Sequence, residues 1–365
     1  MSPEGGGNRA GMRILIVKLS AVGDVVHALP VLHALRTAMP DARIAWAVHP
    51  GPANLLEGHP ELDELVTLPR RPWGPKSPPL REILRRLRAG GPWDAAIDLQ
   101  GLAKSGIVAL ASGARRRVGF AGPASREGNA LFMNARVRPA TTPVITMNLE
   151  LLAPLGIDTA AAMAAPVVVL HTTADDERHV AAWVDAHNLA GERLLVVDPF
   201  AGWETKLWPK ERWVELAARA SGALGLRPVI FFGPGERDHA EALARAMGAA
   251  DADAVTAPPT TLRQYSALLK HHAAAMVGAD TGPMHMAAAA GVPTVAIFGP
   301  SCSRRNAPVF AGARFEVLQD WAQPCAGTFT RRCPHHAPGM CQQGVSVDDV
   351  FAALARVTAG APRHA

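Results

Sequence analysis

Residues 275–300 read AMVGADTGPMHMAAAAGVPTVAIFGP. A short apolar run (275–278) breaks at Asp280-Thr281-Gly282-Pro283, continues through a segment of small residues and ends in a second apolar run, Thr294–Phe298. That order predicts strand, tight turn, helix, turn, strand, which is one βαβ unit of an open parallel sheet. Pro283 suits the first turn of a helix, where its missing N–H costs nothing, and Gly282 lets a ligand approach the backbone. The N–H groups of Thr281, Gly282 and Met284 then sit at a positive helix end, the usual seat of a phosphate. An ordinary Asp-capped helix accounts for D-T-G equally well, so the rest of the chain has to choose.

The pattern of that unit recurs on its N-terminal side. Strand candidates are Leu194–Pro199, Val229–Phe232 and Ala254–Thr256, with helices over Glu211–Ala220 and Arg237–Met247. Ser346 is placed to cap a last helix, Val347–Val357. The first half has the same alternation: strands at Met12–Val17, Ile44–Val48, Leu65–Leu68, Ala95–Leu99 and Arg115–Phe120. One amphipathic helix, carrying Val25, Val26, Leu29, Leu32 and Leu35 on one side, is expected between Asp24 and Pro40. Strand and helix in alternation mean doubly wound α/β, and two such stretches mean two Rossmann-like domains. The expected layout is a loose tail at 1–11, a first domain at 12–165, a second at 166–345 and a closing helical segment at 346–365.

Composition narrows the class. The 365 residues are 48% hydrophobic and 19% charged, and the net charge of +5 favours an anionic partner. Four cysteines are too few for a disulfide framework, which points to a reducing, cytoplasmic setting. The first eleven residues lack the apolar stretch of a signal peptide, and no window reaches the roughly 18 to 20 apolar residues of a membrane span. Any membrane contact is therefore expected to be peripheral.

Strand ends carry the candidate chemistry. Lys18–Asp24 (KLSAVGD) follows the first strand, and its Asp24 reads either as a helix cap or as a general base. Lys206 in WETKLWP (203–209) reads as a phosphate clamp or as a surface lysine lying along apolar neighbours. Glu236, after Gly233-Pro234-Gly235, is placed to accept from a ribose or to complement a helix dipole. The basic residues Arg70, Arg71, Lys76, Arg81, Arg85, Arg86 and Arg88, then Arg115–Arg117 and Arg126, make a solvated face or a surface for an anionic acceptor or lipid headgroup. Few aromatic residues lie among them for stacking, so nucleic acid is not the expected partner. Cys325, Cys333 and Cys341, with His335 and His336, lack zinc-knuckle spacing and read as reduced thiols. The D-x-D of Asp251-Ala252-Asp253 lies in an Ala-rich linker and reads as coincidence.

Taken in order, KLSAVGDVVHALPVLHALR (18–36), DLQGLAKS (98–105), ASREGNALF (124–132), TKLWP (205–209) and GADTGPMHMAAAAGVPTVAIFGP (278–300) resemble the lipopolysaccharide heptosyltransferases, glycosyltransferase family 9. The resemblance spans nearly the whole chain and is strongest to heptosyltransferase I. It implies a GT-B fold, with two Rossmann-like doubly wound domains facing across a cleft and the last helix packing back towards the first. It also implies inverting, metal-independent transfer of L-glycero-D-manno-heptose from ADP-heptose to the Kdo of lipid A–Kdo, with no cofactor. By motif, Asp24 matches the catalytic base; Lys206, Glu236, Asp280, Thr281, Gly282 and His285 match donor-binding positions. Gln100, Lys104 and Arg126 match the acceptor side, which Arg71 and Arg85 of the basic group are expected to join. A monomer, peripheral at the cytoplasmic face of the inner membrane, is the expected state.

Three alternatives stay open. The acceptor can be a heptose, as for a second or third heptosyltransferase, or the donor another nucleotide sugar. A two-lobed, non-enzymatic binding protein shares the architecture. A nicotinamide oxidoreductase also has two α/β halves, but neither half carries G-x-G-x-x-G.

Overall fold

Five residues, Arg13–Val17 (RILIV), form strand β1, and everything beyond Arg13 in it is fully buried. A β-branched run without polar alternation is what a parallel strand covered on both faces requires. The computed structural model describes residues 11–70, 79–333 and 340–359. Its chain divides into two compact units, Met1–His171 and Thr172–Ala365.

In the first unit β2 (Arg43–Val48), β3 (Glu64–Thr67), β4 (Ala95–Asp98), β5 (Arg116–Phe120) and β6 (Ala135–Val137) join β1 in a parallel sheet of order β3-β2-β1-β4-β5-β6. The second unit repeats this with β7 (Leu194–Asp198), β8 (Arg227–Ile230), β9 (Val255–Thr256), β10 (Ala273–Ala279), β11 (Thr294–Phe298) and β12 (Phe315–Gln319). Their order, β12-β11-β10-β7-β8-β9, is the same order with the numbering restarted. Both sheets reverse direction of winding beside their first strand, between β1 and β4 and between β7 and β10. In open α/β sheets that point, outside the carboxyl ends, is where ligands bind.

Helices cover both faces. The Lys210–Leu224 helix packs Trp213, Leu216, Ala217 and Ala220 on the second sheet, and Gly225, at φ +59°, ends it in a left-handed turn. The Val347–Thr358 helix begins as expected, with Ser346 Oγ accepting from Asp349 N. It buries Val347, Val350, Leu354 and Val357 in the core of the second unit, the unit to which it belongs.

The single helix expected after Asp24 is in fact two, Val22–Val26 and Leu29–Ala38. Pro30 is the cause: it has no N–H to give the carbonyl of Val26, so the chain starts a new helix with Pro30 in its first turn. β6 and β12 escape a reading by apolar run because both are edge strands and neither is fully buried.

Candidate functional site

At the first switch point the loop after β1 and the loop after β4 lock together. Gln100 Oε1 accepts from Leu19 N (3.1 Å) and Ser20 N (3.3 Å), and the buried Lys18 Nζ donates to Leu99 O (2.8 Å). Gln100, expected on the acceptor side, thus spends its carbonyl oxygen propping the loop that carries Asp24. Asp24 sits in the first turn of its helix, where Oδ2 accepts from Ala21 N (3.0 Å) and Oδ1 lies 3.6 Å from Lys18 Nζ. The N-cap itself is Ala21, not Asp24; Asp24 is the third residue of the helix and reaches back to the N-cap N–H, with its side chain 41% exposed at the carboxyl end of the sheet.

Asp98 is the residue that sequence reasoning missed in this unit. It ends β4, is fully buried, and accepts from Ser105 Oγ (2.9 Å), Asn129 Nδ2 (2.6 Å), Gln100 N and Gly101 N. Burial raises its pKa despite those four donors. Gly101 has φ +69°, and a Cβ there would lie 2.6 Å from the Ala124 carbonyl oxygen, so only glycine fits. Arg126 N donates to Gly101 O, which brings the exposed Arg126 beside the same loop, while Lys104 is exposed in the first turn of the Ala103–Ala111 helix. Arg85 lies elsewhere, on the Leu80–Leu87 helix, exposed and paired with Glu82 (2.7 and 2.8 Å). Arg71 falls outside the described residues.

The second switch point carries a denser cluster. Lys206 Nζ donates to Asp280 O (2.6 Å) and Asp280 Oδ2 (2.8 Å), and His285 Nε2 is 3.0 Å from Asp280 Oδ1. The surface reading of Lys206 is overturned: its side chain is only 14% exposed, and its ammonium reaches a carboxylate that is 4% exposed. Of the two flanking tryptophans only Trp203 meets it, ring centroid 4.7 Å from Nζ; Trp208 is buried against Trp213. Burial works to raise the Asp280 carboxyl, but His285 and the Lys206 ammonium outweigh it and hold it well below the usual carboxylate range.

Thr281 and Gly282 open the Gly282–Ala289 helix with Pro283 in its first turn, as the sequence predicts. The Thr281 hydroxyl does not cap that helix; it donates to Asp198 Oδ2 at the end of β7. Glu236 is the N-cap residue of the Arg237–Gly248 helix, and its Oε2 accepts from Gly233 N (2.7 Å), closing the turn after β8. Asp198, like Asp98, went unremarked in the sequence. The signal available was an acidic residue closing an otherwise apolar strand, LLVVD here and AAID in β4.

The cysteine-rich segment braces the Lys206 loop. Gln342 Nε2 donates to Lys206 O (2.9 Å), Cys333 N to Glu204 Oε1 (3.2 Å), and Thr205 Oγ1 to Thr330 O (2.9 Å). Burial, then the adjacent thiols of Cys325 and Cys333, push the Cys341 thiol up to about 12. Among the described residues no group of three His, Cys, Asp or Glu is placed to hold a metal ion; His335 and His336 lie outside them. Asp253 of the D-x-D pairs with Arg227 (2.6 Å). No described helix is long and apolar enough to cross a membrane.

The sequence model described as Glycosyltransferase family 9 (heptosyltransferase) matches residues 80–335. Lipopolysaccharide heptosyltransferase 1 of Pseudomonas aeruginosa PAO1 is 29% identical over 349 residues, covering 89% of this chain and 88% of that protein. Among solved structures, a family 9 glycosyl transferase from Veillonella parvula DSM 2008 superposes with a TM-score of 0.77 at 22% identity, covering 96% of this chain and 98% of that one. The E. coli heptosyltransferase WaaC with ADP-2-deoxy-2-fluoro heptose gives 0.68 at 24% identity, covering 93% and 98%. At these identities the two structures speak for the fold.

Proposed function

The chain belongs to glycosyltransferase family 9, the heptosyltransferases, and we propose that it transfers L-glycero-D-manno-heptose from ADP-heptose to Kdo-lipid A, inverting the anomeric centre without a metal ion. That it is a glycosyltransferase of GT-B fold, a heptosyltransferase of the lipopolysaccharide core similar to the type 1 enzymes, is the premise. One observation carries the donor assignment: a lysine ammonium fixed against a buried carboxylate, beside a helix tip whose threonine leaves it uncapped. WaaC holding an ADP-heptose analogue, on the same fold, supports that choice of donor.

In this reading the acceptor hydroxyl oxygen attacks the anomeric carbon as the carbon–oxygen bond to ADP breaks, and the electron pair leaves with the diphosphate. Lys206 and the N–H groups at Gly282 and Met284 meet the growing negative charge, the kind of term that usually dominates catalysis. An ammonium has three donors, and Asp280 takes two of them. Asp280, itself fixed by His285, holds the lysine in place. Asp24 takes the hydroxyl proton, a contribution of typically 10²–10⁴-fold. Arg126, Lys104, Gln100, Arg71 and Arg85 serve the anionic acceptor, with the enzyme a monomer at the cytoplasmic face of the inner membrane.

Product analysis tests the reading. ADP-heptose is incubated with Kdo-lipid A, and separately with a heptosylated acceptor, with and without a chelator. One heptose added to Kdo-lipid A, at a rate the chelator leaves unchanged, is the expected result. Transfer only to the heptosylated acceptor would move the enzyme to the second or third heptosyltransferase class.

A further inference from the structure

A threonine at a helix N-cap ordinarily turns its hydroxyl oxygen back to accept from the N–H two or three residues on. Thr173, Thr261 and Ser346 all do so here, accepting from Asp176, Gln264 and Asp349 N. Thr281 does not, although its backbone (φ −137°, ψ 170°) is the extended one an N-cap adopts. Its hydroxyl is drawn instead to Asp198 Oδ2, 83 residues earlier and on the neighbouring strand. Strand register makes the reach short: Asp198 pairs with Gly278 across β7 and β10, and a Cβ on Gly278 would lie 3.0 Å from Asp198 Cβ. Asp198 is 3% exposed, and nothing but the Thr281 hydroxyl donates to its carboxylate among the described residues. A buried carboxylate held by one hydroxyl is a costly arrangement for the fold, so it calls for a role outside stability.

We propose that Asp198 is a positioning residue of the donor site: by holding the Thr281 hydroxyl it stops that side chain from capping the Gly282–Ala289 helix, so the Met284 N–H, the one such a cap would take because Pro283 has none, stays open to the donor diphosphate. The inference rests on the donor-site assignment above. Without Asp198 the hydroxyl turns to its own helix and competes with the phosphate for the Met284 N–H.

The full-length chain is compared as wild type, Asp198→Leu, Asp198→Asn and Asp198→Leu/Thr281→Val. ADP affinity is read by calorimetry, donor KM and kcat from turnover, and Tm from thermal melts. Asp198→Leu is expected to weaken ADP binding and raise donor KM about tenfold, the scale of one lost charge-assisted hydrogen bond. Because the blocked N–H meets charge that grows in the transition state, kcat at saturating donor falls as well, while Tm does not. Asp198→Asn keeps an acceptor oxygen and stays near wild type. The decisive variant is the double one: with no hydroxyl left to cap the helix, most of the lost affinity returns. Unchanged ADP affinity in Asp198→Leu overturns the inference, as does a loss that Thr281→Val leaves unrescued. Should Asp198→Leu not fold, Asp198→Ala is read the same way, alone and with Thr281→Val. If wild type itself binds no ADP, it is the donor-site assignment that fails, and the inference with it.

Discussion

Replacing Lys206 by methionine keeps most of the side-chain volume and removes the charge. The variant deletes two short hydrogen bonds, to Asp280 O and Oδ2, and leaves a 4%-exposed carboxylate with His285 on its other oxygen. Removing one partner of a buried ion pair costs about 3–5 kcal/mol, because the remaining charge stays desolvated. His285 still holds Oδ1, so a cost at or below the bottom of that range, about 2–3 kcal/mol, is expected. For a cooperative unit of the size of residues 172–365, each kcal/mol moves Tm by about 2–4 °C, which predicts a Tm lower by about 5–10 °C. The assay is differential scanning calorimetry of the full chain at pH 7.5, repeated at high salt. A buried pair is little screened, so the deficit should persist there. Lys206→Met/Asp280→Asn removes both charges and should recover more than half of the loss, the sign of direct coupling. A Tm within 2 °C of wild type, or a double variant less stable than the single one, would refute the reasoning.

If Asp24 is the base proposed above, Asp24→Ala should lower kcat by about 10²–10⁴-fold while ADP binding persists; an unchanged kcat would remove it as the base. Reversing the charge at Arg85 and Arg86 should raise KM for the Kdo-lipid without changing donor affinity, since both side chains are exposed and, among the described residues, ion-paired only with Glu82. Equal KM values in variant and wild type would leave that helix as a solvated face. Burial pushes Asp198 up to about 7, with Glu236 adding to the rise and the Thr281 hydroxyl opposing it, so the folded chain keeps a proton that the unfolded chain releases near pH 4. Its contribution to stability is therefore lost as pH rises from about 4 to about 7. Asp280 has the opposite sign: held low by His285 and Lys206 against its burial, it stabilises above the ordinary carboxylate range and loses that as pH falls through and below it. Urea titrations at pH 4.5 and 7.5 should show Asp198→Asn gaining on wild type at the higher pH; a constant difference would contradict this.

Much of the fold was legible because its cause is local. Ten of the strands were legible at the correct alternation with helices, the central ones as apolar or β-branched runs, since a parallel strand buried on both faces admits little else. Ser346 and Pro283 mark helix starts by chemistry that acts within a turn. The motifs at 18–24, 203–209 and 278–285 could be placed at strand ends for the same reason. What stayed hidden is non-local or edge-bound: β6 and β12, which lie at sheet edges, and the break at Pro30, where one missing N–H outweighs an unbroken amphipathic pattern.

The sequence by itself determined two doubly wound units, the loops that end their strands, and the family to which they belong. Only the tertiary structure decided which loops meet, because strand order, not strand sequence, sets β1 beside β4 and β7 beside β10. That order brings Gln100 under the Asp24 loop, Lys206 onto an aspartate 74 residues away, and Asp198 onto the hydroxyl of Thr281. Each of these contacts ties together chain segments distant in sequence, and no local propensity encodes them. They follow from burying two apolar sheets in the one crossover hand that packs helices on both faces.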